Sequence, residues 1–157
     1  MIFIKDELDS NEERLKQAAT MLNSAKNVVF SGIGDKYYAC LISQFLGDAY
    51  YKNVRVIHAR LLVNYTPDWM NKDTVIVFMT ESGTTLDVLE AAKEAKKKGT
   101  KVVILTGRAK KIEQADLQIV AQGGLQSLIA HLNSIIIYGL LEQGKDLTQL
   151  FTIQNID

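Results

Sequence analysis

Residues 73 to 106 read DTVIVFMTESGTTLDVLEAAKEAKKKGTKVVILT, and this stretch decides the fold. Thr74 to Thr80 is an unbroken, β-branched apolar run with no two-residue alternation, the pattern of a strand covered on both faces. Val88, Leu89, Ala92 and Ala95 then recur at helical spacing. Lys96, Lys97 and Lys98 supply a cationic last turn and Gly99 a stop. A second apolar run follows at once, from Lys101 to Thr106. Strand, helix and strand within 33 residues form a βαβ unit, whose two strands must be parallel.

The same alternation extends to either side. Val28 to Ser31, Val54 to His58 and Leu117 to Ala121 read as three further buried strands. Leu15, Ala18, Ala19 and Leu22 mark a helix before the first strand, and Tyr38, Leu41, Ile42 and Phe45 mark the inward face of the next. A short helix is expected over Lys110 to Ala115 and a long one over Gln126 to Glu142. A chain of 157 residues is long enough for one core, so residues 1–157 are read as a single domain. The expected fold is a three-layer α/β/α sandwich with a five-stranded parallel sheet in the flavodoxin-like order 2-1-3-4-5. In that order the winding reverses between the first and third strands, where open α/β sheets bind their ligands.

Composition removes several function classes. The 18 basic and 18 acidic residues cancel, which favours neither nucleic acid nor a membrane surface. The apolar segment Leu125 to Leu141 is interrupted by His131 and Asn133, which argues against a membrane span. Cys40, the single cysteine, lies in an apolar helical stretch and reads as core packing. Two distant histidines and one buried cysteine give no metal-ligand spacing, so neither a metal nor another cofactor is expected. The initial segment MIFIKDELDS is too short and acidic for a signal peptide, and the expected compartment is the cytoplasm.

Two polar turns follow the strands that flank the reversal. The turn after the third strand carries four hydroxyls in six positions, at Thr80, Ser82, Thr84 and Thr85, with Gly83 allowing close backbone approach. Thr84 and Asp87 have the spacing of a capping box at the start of the following helix. Helix N termini favour phosphate, and one cap does not account for four hydroxyls. The turn after the first strand is Ser31-Gly32-Ile33-Gly34-Asp35-Lys36. It fails as a dinucleotide fingerprint, because Tyr37 replaces the third glycine and His58 stands where an acidic ribose ligand belongs. It fails as a P-loop for want of the GK[ST] ending, and as a phosphoacceptor site because Ser31 and Thr80 stand where carboxylates are required.

Taken together, VVFSGIGDKYYACLISQFL, then the βαβ stretch quoted first, then ADLQIVA resemble the SIS family of phosphosugar isomerase and binding domains, over roughly residues 10 to 143. The resemblance implies that Thr80, Ser82 and Thr85, with Thr84 in the same turn and the Gly34, Asp35 and Lys36 loop, hold a sugar phosphate. Family members commonly have serine where Lys36 and Thr80 stand; Thr80 keeps the hydroxyl and Lys36 does not. Glu81 beside a phosphate is repulsive unless it points away or moves a proton. In isomerases of the family the last helix commonly delivers a glutamate or histidine, often across a subunit boundary, and His131 falls near that position.

The expected activity is therefore aldose–ketose isomerisation of a sugar phosphate, with His131 as the base, or Glu81 if His131 is out of reach. The alternative is a non-catalytic phosphosugar sensor, and a further rival is an α/β protein unconnected with sugars. The crowded apolar circumference of the last helix, Leu128 to Leu141, predicts a homodimer or homotetramer.

Overall fold

The computed structural model describes residues 3–48 and 54–148. In chain order the elements are α1 (Ile4–Ser10), α2 (Glu12–Ser24), β1 (Asn27–Gly32), α3 (Asp35–Asp48), β2 (Val54–His58), α4 (Ala59–Asn64), β3 (Thr74–Thr80), α5 (Leu86–Lys97), β4 (Lys101–Thr106), β5 (Leu117–Val120) and α6 (Gly124–Glu142). The strands form one parallel sheet in the order β2-β1-β3-β4-β5, as expected. Every residue of β3 is buried, because it lies at the centre of the sheet with helices over both faces. Phe30, Val77, Met79 and Leu105 face a core closed by α2, α3 and α6. Val29, Ile76, Phe78 and Ile104 face the other, closed by α4 and α5.

The helix after β1 turns out differently from its expected orientation. Tyr38, Leu41, Ile42 and Phe45 were expected to face the core, yet they are the outward face of α3, and Phe45 is 87% exposed. The buried face consists of Ala39, Cys40, Ser43 and Gly47. Close packing is the reason. A methyl on Gly47 would lie 3.6 Å from both the Phe30 ring and Val54, so the backbone of α3 rides directly on β1 and β2. Small residues permit that approach, and the large apolar ones are displaced outward. Cys40 is buried, and burial pushes its thiol pKa up to about 12.

No helix forms over Lys110 to Ala115. The Gln118 side chain satisfies that segment's backbone instead, accepting from Ile112 N–H at 2.8 Å and donating to the Lys110 carbonyl at 2.8 Å. Two short helices, α1 and α4, carry too little periodicity to be read from sequence. None of the residues of α1 is buried. It is held by Glu7, whose carboxylate accepts from the N–H groups of Gln122 and Gly123 and from the Ser127 hydroxyl, and so caps the start of α6. Length and composition alone would let α6 cross a bilayer, but here it packs on α2 and α3 with Leu128, Leu132, Ile135, Ile136 and Leu140 fully buried.

The packing of α3 makes a graded prediction. Gly47→Ala meets only ordinary van der Waals contacts and removes a helix glycine, so it should preserve or raise stability, by up to about 1 kcal/mol. Gly47→Leu overpacks the same space and should cost about 1–3 kcal/mol. Urea unfolding of both variants measures the difference.

Candidate functional site

Parallel pairing places the carboxyl ends of all five strands on one edge, and the site is assembled there from the turns that follow them. Phe78 of β3 pairs with Ser31 of β1, and Thr80 pairs with Thr106 of β4. The turns that follow β1, β3, β4 and β5 open on a common cleft of about 710 Å³. The β1–α3 turn supplies Ile33 and Lys36, and the β3–α5 turn supplies Thr80, Glu81, Ser82 and Thr85. Gly107 and Arg108 come from the turn after β4, and Gln122 from the turn after β5. Met79 and Val88 form its apolar wall.

The hydroxyls of the β3–α5 turn converge. Thr80 Oγ1 and Thr85 Oγ1 are 2.9 Å apart, and Ser82 Oγ lies 3.4 Å from Thr85 Oγ1. Gly83 has φ +70°, a conformation that a side chain would strain, and its N–H donates to Thr80 Oγ1. Ser82 Oγ accepts from both the N–H and the hydroxyl of Thr84 at 3.1 Å, so its own proton remains available to an acceptor in the cleft. Thr84 thus orients Ser82 and does not itself line the cleft.

The expected Thr84–Asp87 capping box does not form. The N-cap of α5 is Thr85, which makes no side-chain cap bond, and Asp87 is instead 3.0 Å from Arg60 Nε. The helix N terminus next to the hydroxyls therefore offers N–H groups that no side chain caps, with the positive end of the helix dipole behind them.

Lys36 enters the cleft from the first turn of α3. Its ammonium is 2.9 Å from Asp35 and 3.2 Å from Glu81, so it neither points to solvent nor stands free for an anion. The hydrogen bond to Asp35 raises its pKa, burial works against that, and Glu81 adds to the rise, so the group is charged at neutral pH. Gly32 is required at this corner, because a methyl there would lie 2.9 Å from Lys36 Cβ. The glycines of the first turn place Lys36. Gly34 and Asp35 do not line the cleft.

Gly107 joins the two sides of the site. Its N–H lies 3.2 Å from the Thr80 carbonyl and 3.1 Å from that of Glu81, and a methyl at Gly107 would stand 2.6 Å from the Glu81 oxygen. Arg108 and Gln122 were missed in the sequence. The signal was positional: each stands two residues beyond the end of its strand, as Ser82 does beyond Thr80.

His131 stands apart from the cleft residues of its own chain. It is fully buried on the inner face of α6. Its Nδ1 is 2.7 Å from the Ser127 carbonyl, which only accepts, so Nδ1 carries the proton. Its Nε2 is 3.0 Å from the Asn11 amide nitrogen, which only donates and whose other hydrogen is taken by the Val120 carbonyl. Both ring nitrogens are committed to the interior of their own chain. His58 is likewise engaged, accepting from Arg60 N–H through Nδ1 and meeting the Tyr37 ring edge-on.

Comparison with known proteins agrees with this geometry. The SIS domain model matches residues 21–140. The chain belongs to the SIS domain family. Over 101 residues it is 31% identical to the glutamine–fructose-6-phosphate aminotransferase (isomerizing) of Thermococcus kodakarensis, a match covering 64% of this chain and 17% of that protein. The chain thus spans about a sixth of the length of that SIS relative. Among solved structures, the Vibrio vulnificus NanR protein complexed with ManNAc-6P superposes with a TM-score of 0.75 at 15% identity, covering 90% of this chain and 60% of that one. The sugar isomerase domain of an RpiR transcription factor from Sphaerobacter thermophilus superposes with a TM-score of 0.72 at 14% identity, covering 98% and 94%.

A buried, doubly bonded imidazole leads to a specific expectation. His131→Ala takes the partner from one Asn11 amide hydrogen and leaves a cavity where a fully buried ring stood, which should cost roughly 2–4 kcal/mol of folding free energy. Binding at the hydroxyl turn should be unchanged where the variant is folded. Denaturant melts and ligand titration of the same sample separate the two effects.

Proposed function

We propose that residues 1–157 act as one phosphosugar-binding domain, whose cleft grips the phosphate of a small sugar and serves recognition rather than catalysis. One observation carries the reading. The hydroxyl of Thr85 lies within hydrogen-bonding distance of those of both Thr80 and Ser82 at the uncapped start of α5. A phosphate monoester needs several donors and a positive potential, and this turn supplies both. A protein of the same fold complexed with ManNAc-6P and an aminotransferase relative named for fructose 6-phosphate support that ligand class.

Recognition is favoured over turnover because of what lines the cleft. Of the described residues there, Glu81 alone is a Brønsted base fit for proton transfer, and it is held by Lys36. The isomerase reading rests on that same carboxylate, which is on the cleft wall and 55% exposed, within reach of a bound sugar.

Ser82→Ala and Thr85→Val each remove one hydrogen bond to a charged group, a loss of about 1.5–3 kcal/mol, or roughly one to two orders of magnitude in affinity. Calorimetry against pentose, hexose and amino-sugar phosphates should show that loss while the fold persists. Unaltered affinity in both variants would overturn the site. Glu81→Gln separates the two readings. A recognition site should bind sugar phosphate more tightly once the carboxylate is neutral and Lys36 is released. An isomerase should interconvert aldose and ketose phosphates as wild type and lose about 10²–10⁴-fold of that rate in the variant.

The homo-oligomer expected from sequence is retained here as a homodimer, with its contact moved from α6 to α3. Tyr38, Leu41, Ile42 and Phe45 lie at i, i+3, i+4 and i+7 and share one exposed face. A two-fold contact would bury this face on both chains at once, removing eight exposed apolar side chains from water against the cost of associating two chains. Light scattering at low micromolar concentration should report a dimer, and Phe45→Glu should convert it to a folded monomer. A wild-type monomer refutes the dimer.

A further inference from the structure

The charge balance of the cleft poses a problem that its hydroxyls do not solve. Lys36 is committed to Asp35 and Glu81, so this group of three side chains carries one net negative charge. A phosphate dianion held at Ser82 and Thr85 would sit beside that excess, in a cleft that Glu81 also lines. Hydroxyl and amide donors satisfy oxygen lone pairs but bring no formal charge to offset the repulsion.

Arg108 is the other cation on the cleft, and among the described residues no carboxylate pairs with its guanidinium. Its base is fixed. The Arg108 N–H donates to Thr106 Oγ1 at 3.2 Å, and the adjoining Gly107 N–H is held by the Thr80 and Glu81 carbonyls. Its stem passes the hydroxyl turn, because a methyl on Gly83 would lie 3.8 Å from Arg108 Cβ. Gly83 sits between Ser82 and Thr84. A fixed backbone at Arg108, with its Cβ against the hydroxyl turn and no carboxylate on its guanidinium, leaves a planar cation on the cleft lining that is free to grip two oxygens of a phosphate at once.

The geometry points to Arg108 as the charge partner of the bound phosphate, the residue that makes this cleft select a phosphorylated sugar over the bare sugar despite Glu81. This inference rests on the phosphosugar reading. It adds a guanidinium from the turn after β4 to a site otherwise made of hydroxyls and backbone amides. Lys36, which the sequence offers as the cation nearest the ligand, becomes the neutralising partner of Glu81 instead.

The test follows the Gly83 and Thr84 amides by NMR during titration of the full chain with fructose 6-phosphate, inorganic phosphate and unphosphorylated fructose. Arg108→Ala should weaken both phosphate ligands about 10- to 100-fold, and Arg108→Lys should fall between it and the wild type. Added salt should weaken the wild type more than Arg108→Ala, because the screened attraction is the one removed. The side chain is exposed, so both variants should melt with the wild type. If Arg108→Ala binds both phosphates as tightly as the wild type while Ser82→Ala does not, the inference is wrong and the phosphosugar site stands. Should the folded wild type bind neither phosphate ligand, both fall together.

Discussion

The site depends on the burial of β3. All seven of its residues are buried, with β1 on one side and β4 on the other, so its position along the sheet is fixed from both edges and both faces. A one-residue slip would exchange the two cores. Val77 and Met79 would turn toward α4 and α5, and Ile76 and Phe78 toward α2, α3 and α6. That penalty holds Thr80 opposite Thr106, and hence the hydroxyl turn against Gly107. The precision of a polar cluster on a turn derives from an apolar strand that never touches a ligand.

Around that strand, what the sequence made legible followed the strength of periodic signals. The five strands and α5 are written in long apolar runs or helical repeats, whereas the sheet order was the commonest choice for five parallel strands and was shown only by the structure. Where sequence misled, packing distance was the cause. The i, i+3, i+4, i+7 stripe of α3 is a correct amphipathic pattern, but the closeness of Gly47 to Phe30 and Val54 reserves the inner face for small residues. At Lys110 to Ala115, a side-chain amide from Gln118 makes the bonds that a helix was expected to make, and no local pattern announces such a partner.

The site was legible in the same uneven way. Thr80, Ser82 and Thr85 could be chosen because four hydroxyls within six residues exceed the needs of one cap. The separate parts of Thr84, as a donor that orients Ser82, and of Thr85, as the N-cap, required coordinates. Arg108 and Gln122 belong to no motif in the sequence, and only the shared strand edge brings them to the cleft. His131 was attractive because neutral-pH bases are scarce in this chain. The missing information was Asn11, 120 residues away in sequence, whose amide engages the ring nitrogen that a base would use.

The bond between Glu7 and the start of α6 bears on how the chain folds. Glu7 meets Gln122, Gly123 and Ser127 across 115 to 120 residues, and Asn11 meets Val120 and His131 across a similar span. The first two helices therefore have their principal partners in α6 and the turn before it, more than a hundred residues later in the sequence. Leu15, Ala18 and Leu22 of α2 share one core cluster with Leu128, Leu132 and Ile135 of α6, so that side of the core is completed only when α6 packs. Contacts of such long range carry a loop-closure cost before they yield any stability, and they slow the committing step. The closing of this fold is a long-range event that joins α1 and α2 to α6.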